Sequence, residues 1–269
     1  MAARILHLSD LHLGHRESFE PLEALPELVA RVEPELMLAT GDLSHRGKPE
    51  QLEHARTLLE AVGLPLLAVP GNHDIPYTFP ARFTRTFEPW RHVFGDTEPV
   101  HSAPELVVVG LCSVRPWLQQ GGGLEDAQVA AAVEKLRAAP GQALRVVALH
   151  HHLAAPPWRA KRKRPLRNRD RVLQAFACAG AELVVSGHVH QSAAAERREF
   201  EALEDGRTAS IVLTTVPGMG RPRPNRRGEA RGINLYIADE SSLTVTTYVW
   251  DGSAFAEVVQ RRFARNLIP

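Results

Sequence analysis

Five short apolar runs in this chain each end in a side chain that can bind a cation or move a proton. Arg4–Leu8 is followed by Ser9-Asp10-Leu11-His12, and Leu36–Thr40 by Gly41-Asp42. Leu66–Val69 leads through Pro70 into Gly71-Asn72-His73-Asp74. Val146–Leu149 ends in His150-His151-His152, and Leu183–Ser186 in Gly187-His188-Val189-His190. These runs, with Leu106–Cys112, are nearly continuous in apolar character, as strands covered on both faces are. Between them, Pro21–Glu33, Pro49–Val62, Asp126–Ala139 and Arg169–Ala179 are rich in Ala, Leu, Glu and Arg and predict helices. Alternating strands and helices predict an α/β fold. Open sheets of that kind place ligands at the C-terminal ends of their strands, where the polar residues fall here. Toward the C-terminus, Ser210–Val216, Gly232–Ala238 and Leu243–Trp250 predict successive strands with an antiparallel finish.

The spacing has a chemical meaning. Asp10 and His12 are two residues apart, as are His188 and His190, so in extended backbone each pair points to one face. Asp42 and Asn72 each lie beside glycine, which lets backbone approach a bound group closely. Asp10, His12, Asp42, Asn72, His150, His188 and His190 together offer imidazoles and oxygens but no thiolate. Such a set suits Mn, Fe or Zn in a reactive site better than a structural sulfur site. Seven donors exceed the four of one tetrahedral ion, and a shared carboxylate would let them hold two.

Asp-x-His, Gly-Asp, Gly-Asn-His-Asp, His and Gly-His-x-His, in that order from residue 10 to 190, resemble the calcineurin-like metallophosphoesterase family. The resemblance implies a four-layer α/β/β/α sandwich with two mixed β-sheets, formed by residues 1–269 as a single domain. It implies Asp10, His12, Asp42 and His190 on one metal and Asp42, Asn72, His150 and His188 on the other, with Mn and Fe favoured and Asp42 bridging. His150 stands in a His-His-His-Leu context rather than the family's frequent His-His-Pro, which leaves His151 as an alternative ligand. By the same likeness His73 is not a ligand but a catalytic residue assisting the leaving group, with Asp74 orienting its ring. The implied reaction is in-line attack on phosphorus by a hydroxide bridging the metals. Leu8-Ser-Asp-Leu-His-Leu-Gly14 and Val69-Pro-Gly-Asn-His-Asp74 are most similar to bacterial class III cyclic-nucleotide phosphodiesterases. The expected substrate is therefore a small phosphodiester of cyclic-nucleotide type. A phosphomonoesterase or nuclease using the same site is the alternative, and a non-catalytic scaffold a third.

Of the thirteen histidines, the remaining eight divide by position. His7, inside the first strand, is expected in the core or behind the ligands. His15, His45, His151 and His152 adjoin the motifs and are candidates to line the pocket. His54, His92 and His101 have no motif support. Two cysteines, Cys112 and Cys178, make no disulfide framework and are expected as small buried residues in a reducing compartment. With 32 Lys+Arg against 31 Asp+Glu, the chain is not a generally basic nucleic-acid binder. Its cations cluster in Arg159–Arg171, expected as a solvated loop running into a helix near Arg169, and in Arg221–Arg231, which could cap the pocket. No stretch is apolar for the ~18 residues a membrane span needs, and residues 1–10 lack a secretory signal, so a cytoplasmic protein is expected.

Overall fold

The strand β1 (Ala3–Leu8) sorts its side chains by alternation. Ile5 joins Leu36 and Leu38 on one face, while Leu6 and Leu8 join Met37 and Ala39 on the other. Strands β2 (Leu36–Ala39) and β3 (Leu66–Ala68) run parallel to β1. Strands β10 (Gly232–Ala238), β11 (Ser242–Trp250) and β12 (Phe255–Ala264) add antiparallel on its other side, giving the order β12-β11-β10-β1-β2-β3. A second sheet has the order β4-β5-β6-β7-β9-β8. Its centre is parallel: β5 (Leu106–Leu111), β6 (Leu144–Leu149), β7 (Leu183–Ser186) and β9 (Thr208–Thr215). Its edges, β4 (Val100–Ala103) and β8 (Ala193–Ala202), are antiparallel. This computed structural model describes residues 2–15, 19–154, 163–202, 208–222 and 229–265.

Three apolar layers separate four layers of structure. Ile5, Leu36, Leu38, Val108, Val146 and Leu183 pack between the sheets. Helices α2 (Leu25–Val32), after the single turn α1 (Glu20–Glu23), and α3 (Pro49–Glu60) cover the outside of the first sheet. Leu28, Leu52, Ala55 and Leu59 make this contact. After the turn α4 (Ala81–Thr84), α5 (Glu88–Phe94) adds the fully buried Trp90 to the same layer. Helices α6 (Asp126–Arg137) and α7 (Arg169–Cys178) cover the second sheet through Val129, Ala132, Leu136, Val172 and Phe176. The architecture is the α/β/β/α sandwich with two mixed sheets that the family resemblance implies. Among the described residues no helix is long and apolar enough to cross a membrane.

Several local expectations change. The run at Ser210–Val216 does not neighbour Gly232–Ala238. It pairs parallel with β7 in the second sheet, while only β10 to β12 form the antiparallel finish. Strand β8 was not foreseen, because Ala193-Ala-Ala-Glu-Arg-Arg-Glu-Phe-Glu-Ala202 has helix-forming composition. Pairing with β9 overrides that propensity. Strand β12 was also missed, since its mostly exposed side chains follow no burial pattern. Both lie at sheet edges, where charged residues discourage further pairing. Cys112 is buried but Cys178 is exposed at the end of α7, and both are free.

His7 is fully buried and ties the two sheets together. Its Nδ1 is 2.9 Å from Tyr236 Oη and its Nε2 is 2.8 Å from Thr40 Oγ1. Tyr236 Oη is in turn 2.8 Å from Thr214 Oγ1 in the second sheet. Burial lowers the His7 pKa to about 3, against a small opposing pull from Asp10. Between pH 6.5 and about 3 the unfolded chain therefore binds a proton that the folded chain refuses. Stability from this group is present above pH 6.5 and lost as the pH falls, by at most about 1.4 kcal/mol per pH unit. Denaturant unfolding should thus show a shallower loss of stability between pH 6.5 and 4.5 in His7→Asn than in the parent chain. At pH 7.5, Tyr236→Phe should cost about 1–3 kcal/mol, because it leaves buried partners unsatisfied.

Candidate metal centre

The parallel strands of both sheets deliver their polar turns to one place. Asp10, His12, Asp42, His188 and His190 all have left-handed backbone, with φ of 58°, 52°, 51°, 69° and 56°. Non-glycine residues avoid this region, and its concentration in these turns marks a functional arrangement held by its surroundings. Two glycines make the close approach possible. A Cβ on Gly71 would stand 2.2 Å from Asp42 N and 2.3 Å from its Oδ1. One on Gly187 would stand 2.0 Å from Ser9 Oγ, across the junction of the two sheets.

The two carboxylates are held alike. Asp10 Oδ2 accepts the His188 N–H at 2.9 Å, and Asp42 Oδ1 accepts the His73 N–H at 2.8 Å. The other oxygens, Asp10 Oδ1 and Asp42 Oδ2, are buried and accept no hydrogen bond. Imidazoles converge on them. His190 Nε2 is 3.1 Å and His12 Nε2 3.7 Å from Asp10 Oδ1. From Asp42 Oδ2, His150 Nε2 is 3.3 Å and His12 Nε2 3.9 Å. His12 and His190 bring their Nε2 atoms to 3.2 Å. His150 Nε2 also lies 3.2 Å from Asn72 Oδ1 and 3.1 Å from His188 Nδ1. The donors thus form two groups meeting at Asp42 Oδ2. One is Asp10, His12 and His190, and the other Asn72, His150 and His188.

Neighbours fix the orientation of these donors. His150 Nδ1 donates to the Thr40 carbonyl at 2.7 Å, which leaves Nε2 to face the cluster. Asn72 Nδ2 donates to the Gln119 carbonyl at 3.0 Å, which turns Oδ1 inward. Burial alone would raise the pKa of both carboxylates. His190 beside Asp10 and His150 beside Asp42 hold them below the usual carboxylate range instead. Burial likewise opposes charge on His150, but Asp42 outweighs it and raises the pKa to about 9. Burial keeps His12 and His188 well below their ordinary value. Buried carboxylate oxygens without hydrogen bonds, ringed by imidazole nitrogens, fit cations with oxygen and nitrogen ligands.

His151 is fully buried, its Nε2 has no hydrogen-bond partner among the described residues, and with His150 and His188 it forms a further group that could hold a metal. Its Nδ1 is 2.8 Å from Ser113 Oγ, and it is His150 that faces Asp42. His152 is also fully buried, so neither lines the cleft. His15 and His45 do line it, with His12, His73, His190 and Arg221, around a space of about 320 Å³. His45 stacks on His15 with ring centroids 4.5 Å apart, and on His73 at 5.6 Å.

The expected contact between Asp74 and the His73 ring does not form. Asp74 accepts from Ser44 N at 2.7 Å, Ser44 Oγ at 3.0 Å and Gly71 N at 2.8 Å. These three donors use both carboxylate oxygens inside the loop. His73 Nδ1 meets the His45 carbonyl at 2.9 Å. Of the basic segments, 159–162 and 223–228 lie outside the described residues. The solvated-loop expectation fails at Lys163, which is buried and donates to the His188 carbonyl. Its place in a run of cations gave no sign of this. Arg231 does not reach the cleft either, since its Nε donates to the Met219 carbonyl at 3.0 Å.

If the close approach of Gly71 to Asp42 is what aims the carboxylate, both Gly71→Ala and Asp42→Ala should lose metal. Elemental analysis after dialysis against Mn²⁺ would check this. Full metal content in a folded Gly71→Ala chain would contradict it.

The sequence profile of the family described as Calcineurin-like phosphoesterase matches residues 3–192. A probable cyclic nucleotide phosphodiesterase from Moraxella catarrhalis is 36% identical over 77 residues, covering 27% of this chain and 28% of that one. The glycerophosphodiester phosphodiesterase GpdQ from Enterobacter lignolyticus is 35% identical over 65 residues, covering 24% and 22%. The matched stretches thus span less than a third of either curated relative. A dimetal phosphatase structure from Danio rerio superposes with a TM-score of 0.64 at 14% identity, covering 98% of this chain and 99% of that one. With a profile match running through every motif from Asp10 to His190, the chain belongs to the calcineurin-like phosphoesterase family.

Proposed function

We propose that this protein is a dimetal phosphodiesterase acting on cyclic nucleotides, with residues 1–269 serving as one domain. The observation that carries the reading is Asp42 Oδ2, buried without a hydrogen bond at the meeting point of two donor groups. Asp10, His12, Asp42 and His190 would hold one ion, and Asp42, Asn72, His150 and His188 the other. The nitrogen and oxygen donors favour Mn or Fe. When bound, two such ions acidify a water for attack and neutralise charge on the phosphoryl oxygens.

The chain's own residues supply the rest. His12 and His190 form part of the cleft wall beside the carboxylates, so a phosphoryl group entering the cleft meets the donor cluster directly. His73 is a catalytic residue that gives a proton to the leaving alcohol. Its backbone N–H is fixed on Asp42 Oδ1 and its Nδ1 on the His45 carbonyl, which leaves Nε2 to work on the substrate. The His45 carbonyl therefore does the orienting that the family resemblance implies for Asp74. Asp74 acts one step back, holding the Ser44 and Gly71 loops that flank Asp42. The names of the Moraxella and Enterobacter relatives support a diester over a monoester, and the former supports a cyclic nucleotide. Two free cysteines agree with a reducing, cytoplasmic location.

With Mn²⁺ added, the chain should hydrolyse cyclic AMP and bis(p-nitrophenyl) phosphate faster than p-nitrophenyl phosphate. A preference for the monoester would overturn the diesterase assignment. His73→Ala should keep its metal yet lose about 10²-fold or more in kcat on cyclic AMP. The loss on the aryl diester should be smaller, because p-nitrophenolate leaves without a proton. Equal losses on both substrates, or loss of metal, would show that His73 has another role.

A further inference from the structure

A second, larger concavity backs onto the metal cleft. It has a volume of about 500 Å³, within the usual range of roughly 300–1,000 Å³ for small-molecule sites, against about 320 Å³ for the cleft. The two share a wall made of two short loops. In one loop His45 lines the cleft, and the next residues, Arg46 and Gly47, line the pocket. In the other, His73 lines the cleft while Pro76 and Tyr77 line the pocket. Three residues of chain reach at most about 10 Å, so His73 and Pro76 lie within that distance of each other. The loops are also packed together, since a Cβ on Gly47 would stand 2.3 Å from the Ile75 carbonyl oxygen.

The pocket's chemistry is that of a site for a planar ring. Pro49, Pro76, Ala81 and Pro89 give it apolar walls, and Tyr77 is 61% exposed. The Arg46 guanidinium carbon sits 5.3 Å from the centre of that ring. The other cations at the pocket are paired, Lys48 with Glu50 at 3.5 Å and Arg85 with Glu88 at 3.8 Å. Arg46 has no carboxylate partner among the described residues. An exposed aromatic ring and a guanidinium without a carboxylate partner, beside a phosphate site, suit a base that stacks and accepts hydrogen bonds.

We propose that this pocket binds the nucleobase of a nucleotide ester whose phosphate lies in the metal cleft. Tyr77 is the stacking surface and Arg46 the hydrogen-bond donor. The inference rests on the phosphodiesterase reading for its phosphate position, and the experiment separates the two. The purified chain would be given methyl p-nitrophenyl phosphate and thymidine 5′-(p-nitrophenyl phosphate), which share a leaving group and differ only in the nucleoside. Binding of thymidine 5′-monophosphate and of methyl phosphate would be measured alongside by calorimetry.

The thymidine ester should have a kcat/KM at least about fivefold higher than the methyl ester, the low end of base–aromatic stacking. Tyr77→Ala and Arg46→Ala should each reduce that preference and leave the methyl ester unchanged, while Tyr77→Phe should keep it. Because both side chains are exposed, these variants should fold. Equal kcat/KM for the two esters, or a preference that survives both alanine substitutions, would overturn the base site and leave the diesterase reading intact. If neither ester is cleaved, the diesterase reading fails and binding decides. Tighter binding of the thymidine phosphate that Tyr77→Ala removes would support the base site, and equal binding of the two phosphates would overturn it.

Discussion

Asp10 and Asp42 carry two negative charges into a fully buried space, and much of the fold is arranged around holding them there. Each is anchored through one oxygen by a backbone N–H and left open through the other. Burying a carboxylate without compensation costs several kcal/mol, so the open oxygens must face positive charge. The surrounding imidazoles alone meet this only by taking up protons, as the raised pKa of His150 shows. Cations meet it without protons, and the imidazole and amide atoms that converge around Asp42 Oδ2 suit them.

The two-sheet architecture follows from the same requirement. Neither sheet contains the whole set: β1, β2 and β3 lead to Asp10, His12, Asp42 and Asn72, while β6 and β7 lead to His150, His188 and His190. The sheets must therefore meet closely at their C-terminal ends. Gly187 against Ser9, His188 N on Asp10 and His150 Nδ1 on the Thr40 carbonyl form that junction. The His7–Tyr236–Thr214 chain of hydrogen bonds fixes the sheets again deeper in the interior. The metal centre and the inter-sheet core are thus one structural problem, and left-handed backbone at five of the donor residues belongs to its solution.

Most of this was legible because each central strand buries both faces and announces its polar end abruptly. The α/β class and the gathering of the seven polar residues at strand ends follow from those runs and their spacing, while the four layers follow from the family resemblance. What the sequence hid has physical reasons. The edge strand Phe255–Ala264 buries too little to carry a pattern, and Ala193–Ala202 has helix-forming composition, so their pairing partners decide them. The partnership of Asp74 with Ser44 and Gly71, rather than with His73, depends on how two loops pack and not on adjacency in the chain. Lys163 looked like one cation among many in a basic run, and only the tertiary fold puts its ammonium on the His188 carbonyl. Arg46 and Tyr77 carry no motif, and their meeting beside the cleft is visible only in three dimensions.

The central claim is that the two donor groups bind two ions through one shared oxygen. Diffraction from crystals grown with Mn²⁺, recorded at the manganese absorption edge, tests it most directly. The account predicts two anomalous peaks per chain, one among Asp10, His12 and His190 and one among Asn72, His150 and His188, both bonded to Asp42 Oδ2. A single peak, or two peaks of which only one touches Asp42, would contradict it.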